Sequence, residues 1–289
     1  MAEGGKTLAE LLALGEGYLS RHAVPEARVA CELLAARLFK CGRLELCRHA
    51  DGVPQERLVE AMRRGLRRVA GGEPVQYVLG QWDFRKLTLK VDRRALIPRP
   101  ETEQLVDLVL KSPQAAKNGK PLVVDVGTGS GCIILSLAQE LGKGVFVGLD
   151  KSAEALALAR ENAVLTGLER RVLFAESDGC GEFDAASVDI LVSNPPYIPS
   201  RAVDGLARQI SKHEPRMALD GGDDGLDVYR ALLLDAVMVL KAGGGVFFEI
   251  GDEQGAAMRD MLSEFGFAEV AIIKDYAGKD RFATGVQSV

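Results

Sequence analysis

Short apolar runs separated by amphipathic segments repeat along the chain after residue 121, and this alternation constrains the fold more than any other feature. Each run is continuous rather than interrupted by polar residues, which is typical of strands buried on both faces. The segments between the runs have the helical period, as the crossovers of parallel strands require. The pattern predicts an α/β fold: a mostly parallel sheet with helices on both faces. The predicted strands span residues 122–126, 145–149, 172–175, 188–192 and 245–250, and the predicted helices span 133–141, 153–165, 227–240 and 253–265.

The chain before residue 101 follows two other patterns. Apolar residues at helical spacing begin at Leu8, and Pro25 and Pro54 are expected to open a second and a third helix. From residue 81, apolar and polar residues alternate, which predicts a hairpin closed by Pro98 and Pro100. We therefore expect a helical domain over residues 1–80, a β-hairpin linker over 81–100 and the α/β domain over 101–289. The residues expected to face inward on the third helix are Leu58, Ala61, Met62 and Leu66.

The composition excludes several classes of protein. Of the 289 residues, 47% are hydrophobic and 27% are charged, as in globular proteins, which excludes disordered and fibrous chains. No apolar run approaches the ~18 residues of a membrane span, and residues 1–20 lack the basic start and apolar block of a signal peptide. The five cysteines form no C-x-x-C pair and fit no zinc spacing, so neither a disulfide nor a metal site is expected. We expect a cytoplasmic protein without a membrane partner.

The net charge of −5 is divided unevenly along the sequence. Residues 1–99 contain 18 Lys and Arg against 12 Asp and Glu, whereas residues 100–289 contain 18 against 29. Such polarity suggests that the two parts meet different partners. Arg63, Arg64, Arg67 and Arg68 of the third predicted helix are a candidate docking face for an acidic protein surface, and the alternative is that they only solvate the helix.

A glycine-rich loop follows the first predicted strand of the α/β domain. Its glycines allow a sharp turn and close approach of a ligand, and the helix behind it offers free backbone N–H groups. The spacing is G-x-G-x-G, and Cys132 stands where the dinucleotide-binding pattern G-x-G-x-x-G needs its third glycine, which disfavours an NAD enzyme. The loop alone is weak evidence of a particular cofactor.

Two acidic residues make the loop more informative. Asp125 ends the first strand, where its carboxylate would repel a pyrophosphate but suit the ammonium of a cationic cofactor. Asp150 ends the next strand, where it can accept hydrogen bonds from both ribose hydroxyls. Together with the loop they resemble the S-adenosylmethionine site of class I methyltransferases. The cofactor-binding residues predicted on this strand and loop pattern are Asp125, Gly127, Thr128, Gly129, Ser130, Gly131 and Asp150.

The sequence Asn194-Pro195-Pro196-Tyr197 follows the apolar run 188–192. The prolines stiffen the corner and lack N–H donors, so the corner presents acceptors, namely the Asn194 side-chain oxygen and the carbonyl of residue 195. Two acceptors could hold both hydrogens of a planar NH₂ group and localise its lone pair for attack on a methyl sulfonium. Tyr197 offers a face against which a planar amide or base can pack. The tetrapeptide resembles that of methyltransferases acting on glutamine amides or on the exocyclic amines of nucleobases.

Further segments between residues 72 and 281 have distinctive sequences, and the most specific is Ile-Pro-Arg-Pro-Glu-Thr-Glu, which ends at Glu103. The others are 72–80, 125–131, 194–197, 214–222 and 249–251, with Asp275 and Arg281 near the end. With these segments, most of the chain from residue 72 to 281 resembles one family, the release-factor glutamine methyltransferases. The resemblance implies a Rossmann-like class I methyltransferase domain with a small helical N-terminal domain that recognises the substrate.

The resemblance also implies an activity and roles for individual residues. The expected reaction is methylation of the glutamine side-chain amide in the Gly-Gly-Gln motif of class I peptide-chain release factors, giving N5-methylglutamine and S-adenosylhomocysteine and serving translation termination. Asn194 and Pro195 would hold the amide, and Tyr197 would pack on it, with Pro196 beside them. Asn194 would also lie beside the cofactor methyl.

The sequence allows two roles for three charged residues at the start of the helix that follows the hairpin. Arg99, Glu101 and Glu103 either organise the substrate cleft or only cap the following helix.

The sequence departs from the family pattern at one position near the expected adenine. After the third strand the family often has an aspartate followed by an aromatic residue, whereas here Asp178 is followed by Gly179. Asp178 is included in the predicted cofactor site, and what replaces the aromatic residue is an open question.

Two other functional classes remain possible from the sequence. A nucleic-acid amine methyltransferase would use the same Asn-Pro-Pro-Tyr corner, but it needs a basic channel and stacking aromatic residues. The acidic catalytic part and the 6% aromatic content argue against a nucleic-acid substrate. A non-enzymatic module that binds S-adenosylmethionine or the ribosome would need only the glycine loop, and the intact Asn194–Tyr197 corner argues against it.

Overall fold

The computed structural model describes residues 5–116 and 119–288. They form two compact units. The first extends to Gly80 and includes Ala207–His213, and the second consists of Gln81–Leu206 and the chain from Glu214 onward. No helix among the described residues combines the length and the apolar character that a membrane span requires.

The helices of the described residues, in chain order, are α1 Leu8–Arg21, α2 Ala27–Phe39, α3 Glu56–Ala70, α4 Val75–Leu79, α5 Pro100–Lys111, α6 Pro113–Ala116, α7 Cys132–Leu141, α8 Ala153–Thr166, α9 Ser200–Val203, α10 Arg208–Ser211, α11 Asp227–Val239 and α12 Gly255–Glu264. Short 3₁₀ helices span Arg43–His49 and Arg216–Ala218. The strands are β1 Gln81–Phe84, β2 Leu87–Lys90, β3 Leu122–Val126, β4 Val145–Asp150, β5 Val172–Glu176, β6 Val188–Ser193, β7 Leu240–Glu249, β8 Phe267–Lys274 and β9 Asp280–Gln287.

Helices α1–α4 build the first unit around a core of leucine and alanine side chains. The α1 helix begins with a capping box, in which Thr7 Oγ1 accepts the Glu10 backbone N–H and Glu10 Oε2 accepts that of Thr7. Proline does not open the next helices as predicted. Glu26 adopts a left-handed φ of 49°, so α2 begins only at Ala27, and α3 begins two residues after Pro54.

The arginines of α3 face away from the core, as predicted from the sequence. Arg63, Arg64, Arg67 and Arg68 are all exposed. The buried stripe of α3 differs from the prediction, because Leu58 and Ala61 are only partly buried. The residues that line the core are Val59, Met62, Leu66 and Val69, which recur at three- and four-residue intervals along one face of the helix.

The sheet of the second unit has the strand order β5-β4-β3-β6-β7-β9-β8. Strands β3 to β7 pair in parallel, whereas β9 runs antiparallel to both β7 and β8. The predicted α/β class with a mostly parallel sheet is confirmed, and each predicted strand and helix lies within a few residues of its observed position, although β7 begins at Leu240. The hairpin β8–β9 is not among the predicted elements: residues 270–273 form a short apolar run, but most residues of the two strands are half-exposed, unlike those of the buried parallel strands.

Successive residues of the central strands face opposite sides of the sheet. Val124 belongs to the core shared with α11 and α12, while its neighbour Val123 belongs to the core shared with α5, α7 and α8. Both residues are fully buried. The β1–β2 hairpin adds Phe84 and Leu89 to this second core, so it packs as part of the second unit.

A buried asparagine connects the hairpin to the glycine loop. Asn162 on α8 accepts the backbone N–H of Lys90 through Oδ1 at 2.7 Å. Its Nδ2 donates to the carbonyls of Lys90 and Ser130, at 3.1 and 2.9 Å. Because Asn162 is fully buried, its side-chain amide must be satisfied within the protein, and these hydrogen bonds fix the loop against β2 and α8.

Candidate active site

The loops at the carboxyl ends of β3, β4, β5 and β6 surround one cleft in the second unit. Its volume is about 1270 Å³, including the part open to solvent. β3 pairs with β4 on one side and β6 on the other, so the cleft lies where strand order reverses, the usual ligand position in such sheets. The predicted residues that line it are Arg99, Gly127, Thr128, Gly129, Ser130, Asp150, Asp178, Asn194, Pro195 and Pro196.

The glycine loop after β3 has the backbone conformation that its sequence predicts. Gly127, Gly129 and Gly131 all have positive φ, between 56° and 82°. A Cβ on Gly127 would meet nothing within 4 Å, so the space above the loop is open. Gly131 does not line the cleft, and a Cβ there would come within 3.1 Å of Leu135 Cδ1, so this glycine serves the close packing of α7.

Asp125 lies beneath the loop rather than on the surface of the cleft. It is fully buried, and its Oδ2 accepts a hydrogen bond from Thr128 Oγ1 at 2.7 Å. Its Oδ1 has no hydrogen-bond partner in the described part of the chain. Burial, together with the charge of Asp150, raises the pKa of Asp125 to about 7.

Asp150 holds the loop in place and borders the cleft. Its Oδ2 accepts the backbone N–H of Gly129 at 2.8 Å, and its Oδ1 accepts that of Ser152 at 2.9 Å. Burial raises the pKa of this carboxyl above its ordinary value, although both hydrogen bonds oppose the shift. Each oxygen keeps a second lone pair with which it can accept a hydrogen bond from a ligand.

Asn194 lines the cleft, and its amide nitrogen is engaged by a buried threonine. Its Nδ2 donates to Thr102 Oγ1 at 3.1 Å, and Thr102 Oγ1 donates to Glu249 Oε2 at 2.6 Å. No described residue donates to Asn194 Oδ1 or to the carbonyl of Pro195. The corner therefore offers the two unoccupied acceptors that the sequence predicts.

Tyr197 takes a different position from the other three residues of its tetrapeptide. It does not line the cleft but packs on the core that contains Tyr229 and Phe248. Its carbonyl accepts Gln254 Nε2 at 3.0 Å. Burial raises the pKa of its phenol to about 12. The role of Tyr197 as a surface for the substrate amide remains a prediction.

Of the three charged residues before and within α5, only Arg99 borders the cleft. Its Nη2 donates to Glu214 Oε1 at 2.6 Å, and the Glu214 side chain is 1% exposed. Glu101 lies in the first turn of α5, where a negative charge is favourable, and Glu103 Oε1 accepts the backbone N–H of Arg85 at 3.1 Å. Glu103 thus fixes the turn of the β1–β2 hairpin.

The glycine that follows Asp178 has a steric explanation. Asp235 Oδ2 accepts the backbone N–H groups of Cys180 and Gly181, at 2.8 and 3.0 Å. A Cβ on Gly179 would collide with the same carboxylate. A larger side chain at residue 179 would therefore require Asp235 to move away from the two N–H groups that it accepts. Asp178 itself is exposed and forms an ion pair with Lys151 at 3.3 Å.

Two buried residues of this site were not predicted from the sequence. Thr102 and Glu249 are 2% and 1% exposed, respectively, and together they hold Asn194. Both lie in segments that resemble the family, but their residue types alone indicate no particular role. Burial raises the pKa of Glu249 to about 7, while Thr102 and Arg281 act in the opposite direction. No cluster of potential metal ligands occurs among the described residues.

Comparison with known proteins decides the family. The methyltransferase small domain model matches residues 105–223, and the PrmC N-terminal domain model matches residues 10–80. The release factor glutamine methyltransferase of Caulobacter vibrioides is 42% identical over 77% of this chain and 76% of its own length. That of Moorella thermoacetica is 40% identical over 87% and 86% of the two chains. The chain belongs to the release factor glutamine methyltransferase family.

Membership of this family confirms the resemblance seen in the sequence and makes the protein an S-adenosylmethionine-dependent methyltransferase. Among solved structures, the hMettl16 catalytic domain in complex with the MAT2A 3′UTR hairpin 6 superposes with a TM-score of 0.57. The sequences are 15% identical, and the match covers 74% of this chain and 81% of that one. At this identity the likeness concerns the fold alone.

The cleft fits a cationic cofactor better than a dinucleotide. The buried carboxyl of Asp125 lies under the glycine loop, where a pyrophosphate would meet a charge of its own sign. Asp125 Oδ1 and Ser130 Oγ are buried and lack partners within the described residues. A positive charge bound above the loop would be stabilised by the buried Asp125 carboxylate, and the open space above Gly127 leaves room for a ligand.

The raised pKa of Asp125 gives a testable dependence of stability on pH. Between the unfolded pKa of 3.8 and the folded pKa of about 7, the folded protein binds more protons than the unfolded chain, so this residue's contribution to stability falls as pH rises. Asp125→Asn keeps the Thr128 hydrogen bond but removes the titration. The difference in free energy of unfolding between Asp125→Asn and wild type, measured in urea, should therefore increase by a few kcal/mol from pH 5 to pH 8. Each unit of pKa difference between the folded and unfolded states corresponds to about 1.4 kcal/mol.

The matched control is Asp184→Asn, because Asp184 is exposed and the substitution is chemically the same. This variant should differ from wild type by the same small amount at both pH values. An Asp125→Asn stability difference that does not change between pH 5 and pH 8 would contradict the proposed buried titration.

Proposed function

We propose that this methyltransferase modifies the side-chain amide of the glutamine in the Gly-Gly-Gln motif of class I release factors. The observation that carries the proposal is the pair of unoccupied acceptors, Asn194 Oδ1 and the Pro195 carbonyl, on the cleft beside the glycine loop. The names of the curated relatives, release factor glutamine methyltransferases, support the same substrate. The reaction would take place in the cytoplasm and serve translation termination.

The acceptors activate a nitrogen that is otherwise a poor nucleophile. In a carboxamide the nitrogen lone pair is delocalised into the carbonyl. Hydrogen bonds from its two N–H groups to Asn194 Oδ1 and the Pro195 carbonyl would hold the NH₂ group in place and favour a localised lone pair. Because the nitrogen becomes strongly acidic on gaining a methyl group, it needs no strong general base.

The residues around the glycine loop would hold the cofactor. S-adenosylmethionine supplies, when bound, a methyl group on a positively charged sulfur. Asp150 would accept hydrogen bonds from its ribose hydroxyls, and Asp125 would stabilise its positive charge from beneath Thr128. The backbone from Gly127 to Gly131 would contact it closely, and Asp178 would border its adenine.

The acidic catalytic part of the chain favours a protein substrate over a nucleic acid. Residues 100–289 contain 29 acidic against 18 basic residues, which would repel a phosphate backbone.

We propose that recruitment of the release factor depends on residues 1–80, with residues 81–100 as the connection to the catalytic part. Arg68 is engaged by Glu73 through two bonds of 2.7 Å, and Arg63 is paired with Glu56 and Glu60. Arg64 and Arg67 form no ion pair with any described residue, so they are the better candidates for docking.

Methyl transfer from labelled S-adenosylmethionine tests the proposed reaction. The enzyme is incubated with a release factor, with the same factor carrying Gln→Ala in its Gly-Gly-Gln motif, or with DNA or RNA. We expect label only in the intact factor, on the glutamine side chain.

Asn194→Ala should lower kcat by about 100-fold or more, while the affinity for the cofactor, measured by calorimetry, is largely kept. Label in nucleic acid but not in the factor, or near-normal turnover by Asn194→Ala, would contradict the proposal.

Charge reversal on α3 tests recruitment. The double variant Arg64→Glu/Arg67→Glu should raise KM for the release factor by about 10-fold, because two attractive contacts become repulsive, and leave kcat unchanged. The control Arg21→Glu/Arg37→Glu makes the same change of net charge at exposed positions on α1 and α2. Equal effects of the two double variants on KM, or no effect of either, would show that Arg64 and Arg67 only solvate their helix.

A further inference from the structure

A chain of two hydrogen bonds extends from the buried end of β7 to the substrate corner. Asn194 Nδ2 donates to Thr102 Oγ1 at 3.1 Å, and Thr102 Oγ1 donates to Glu249 Oε2 at 2.6 Å. Each residue comes from a different element, namely the loop after β6, helix α5 and strand β7. All three belong to the second unit.

The chemistry of the three groups fixes the direction of the chain. Above its pKa of about 7 the Glu249 carboxylate is ionised and can only accept hydrogen bonds, so the single hydroxyl hydrogen of Thr102 is then committed to Glu249. The Thr102 oxygen can then act toward Asn194 only as an acceptor. It therefore selects the NH₂ side of the Asn194 amide, and the amide oxygen must point the other way, into the cleft.

The backbone around Glu249 is fixed by further hydrogen bonds. Tyr229 Oη donates to the Glu249 carbonyl at 2.7 Å, and Arg281 Nη1 donates to the carbonyl of Ile250 at 3.2 Å. Tyr229 is fully buried on α11. The carboxyl group thus lies on a fixed strand end, where burial raises its pKa to about 7 against the opposing effects of the Thr102 hydrogen bond and the charges of Arg281 and Arg99.

We propose that Thr102 and Glu249 are positioning residues that orient the Asn194 amide so that its oxygen, and not its nitrogen, faces the substrate NH₂ group. This inference rests on the proposed function, since it assigns the substrate a pair of N–H donors. A reversed Asn194 would place NH₂ against NH₂, where no hydrogen bond can form and the substrate nitrogen is no longer held. Neither residue contacts the reacting atoms in this account, because both act through Asn194.

Three variants separate orientation from stability. Thr102→Val keeps the shape of the side chain but removes the hydroxyl, whereas Thr102→Ser keeps the hydroxyl. In Glu249→Gln, the new amide NH₂ can donate to the Thr102 oxygen. The Thr102 hydroxyl hydrogen is then free to donate to Asn194, which favours the reversed orientation of the Asn194 amide. Assays at pH 8 keep Glu249 ionised in the wild-type enzyme, given its pKa of about 7.

We expect Thr102→Val and Glu249→Gln to lower kcat by about 10- to 100-fold, with KM for the release factor within about 3-fold of wild type. Thr102→Ser, which keeps the hydroxyl, should have a kcat within about 3-fold of the wild-type value. Calorimetric affinity for S-adenosylmethionine and the melting temperature should be the same for Thr102→Val and Thr102→Ser. Wild-type kcat in Thr102→Val, an equal loss of kcat in Thr102→Ser, or a loss confined to cofactor affinity would overturn the proposal.

A readout without catalysis distinguishes this inference from the proposed function. In the isotope-labelled wild-type protein, NMR should show nuclear Overhauser contacts from the Asn194 Nδ2 protons to Thr102, and Asn194→Ala identifies the signals. Thr102→Val should shift the two Nδ2 proton resonances, because their acceptor is gone. If these contacts are absent, the proposed orientation of the Asn194 amide is wrong, whatever the substrate is. If they are present but the protein does not methylate the release factor, only the proposed function is contradicted.

Discussion

Parallel pairing of β3 with both β4 and β6 is the constraint on which the site depends. It places the glycine loop, Asp150 and the Asn194 corner at one edge of the sheet, although they lie far apart in the sequence. Buried hydrogen bonds then fix each loop, including those of Asn162 to Ser130 and of Asp150 to Gly129. A cationic cofactor and a neutral amide can therefore meet at a cleft whose walls are already organised.

Much of this arrangement can be predicted from the sequence, because its signals are local. A continuous apolar run indicates a buried strand, three glycines within five residues indicate a tight loop, and two prolines fix the corner after β6. Gly127, Asp150, Asn194 and Pro195 accordingly lie on the cleft as their spacing predicts. The same reasoning yields a mostly parallel sheet, because buried strands joined by helices have few other arrangements.

The remaining features depend on contacts between residues distant in the sequence. Thr102 and Glu249 are 147 positions apart, and nothing in either local pattern indicates that they share a hydrogen bond. The β8–β9 hairpin depends on the pairing of β9 with β7, a contact between distant segments, and the short apolar run 270–273 alone does not specify an antiparallel hairpin at this place in the sheet. Tyr197 follows the two prolines, yet its ring packs on the core, because side-chain direction after such a corner is decided by the surrounding packing.

The central claim is that Asn194 Oδ1 and the Pro195 carbonyl hold the glutamine NH₂ group. The most direct test is a crystal structure of the enzyme with S-adenosylhomocysteine and a Gly-Gly-Gln peptide. The account predicts that the glutamine amide nitrogen lies about 3 Å from both oxygens, within hydrogen-bond distance. A glutamine amide bound elsewhere in the cleft, or one whose carbonyl oxygen rather than its nitrogen faces Asn194, would contradict it.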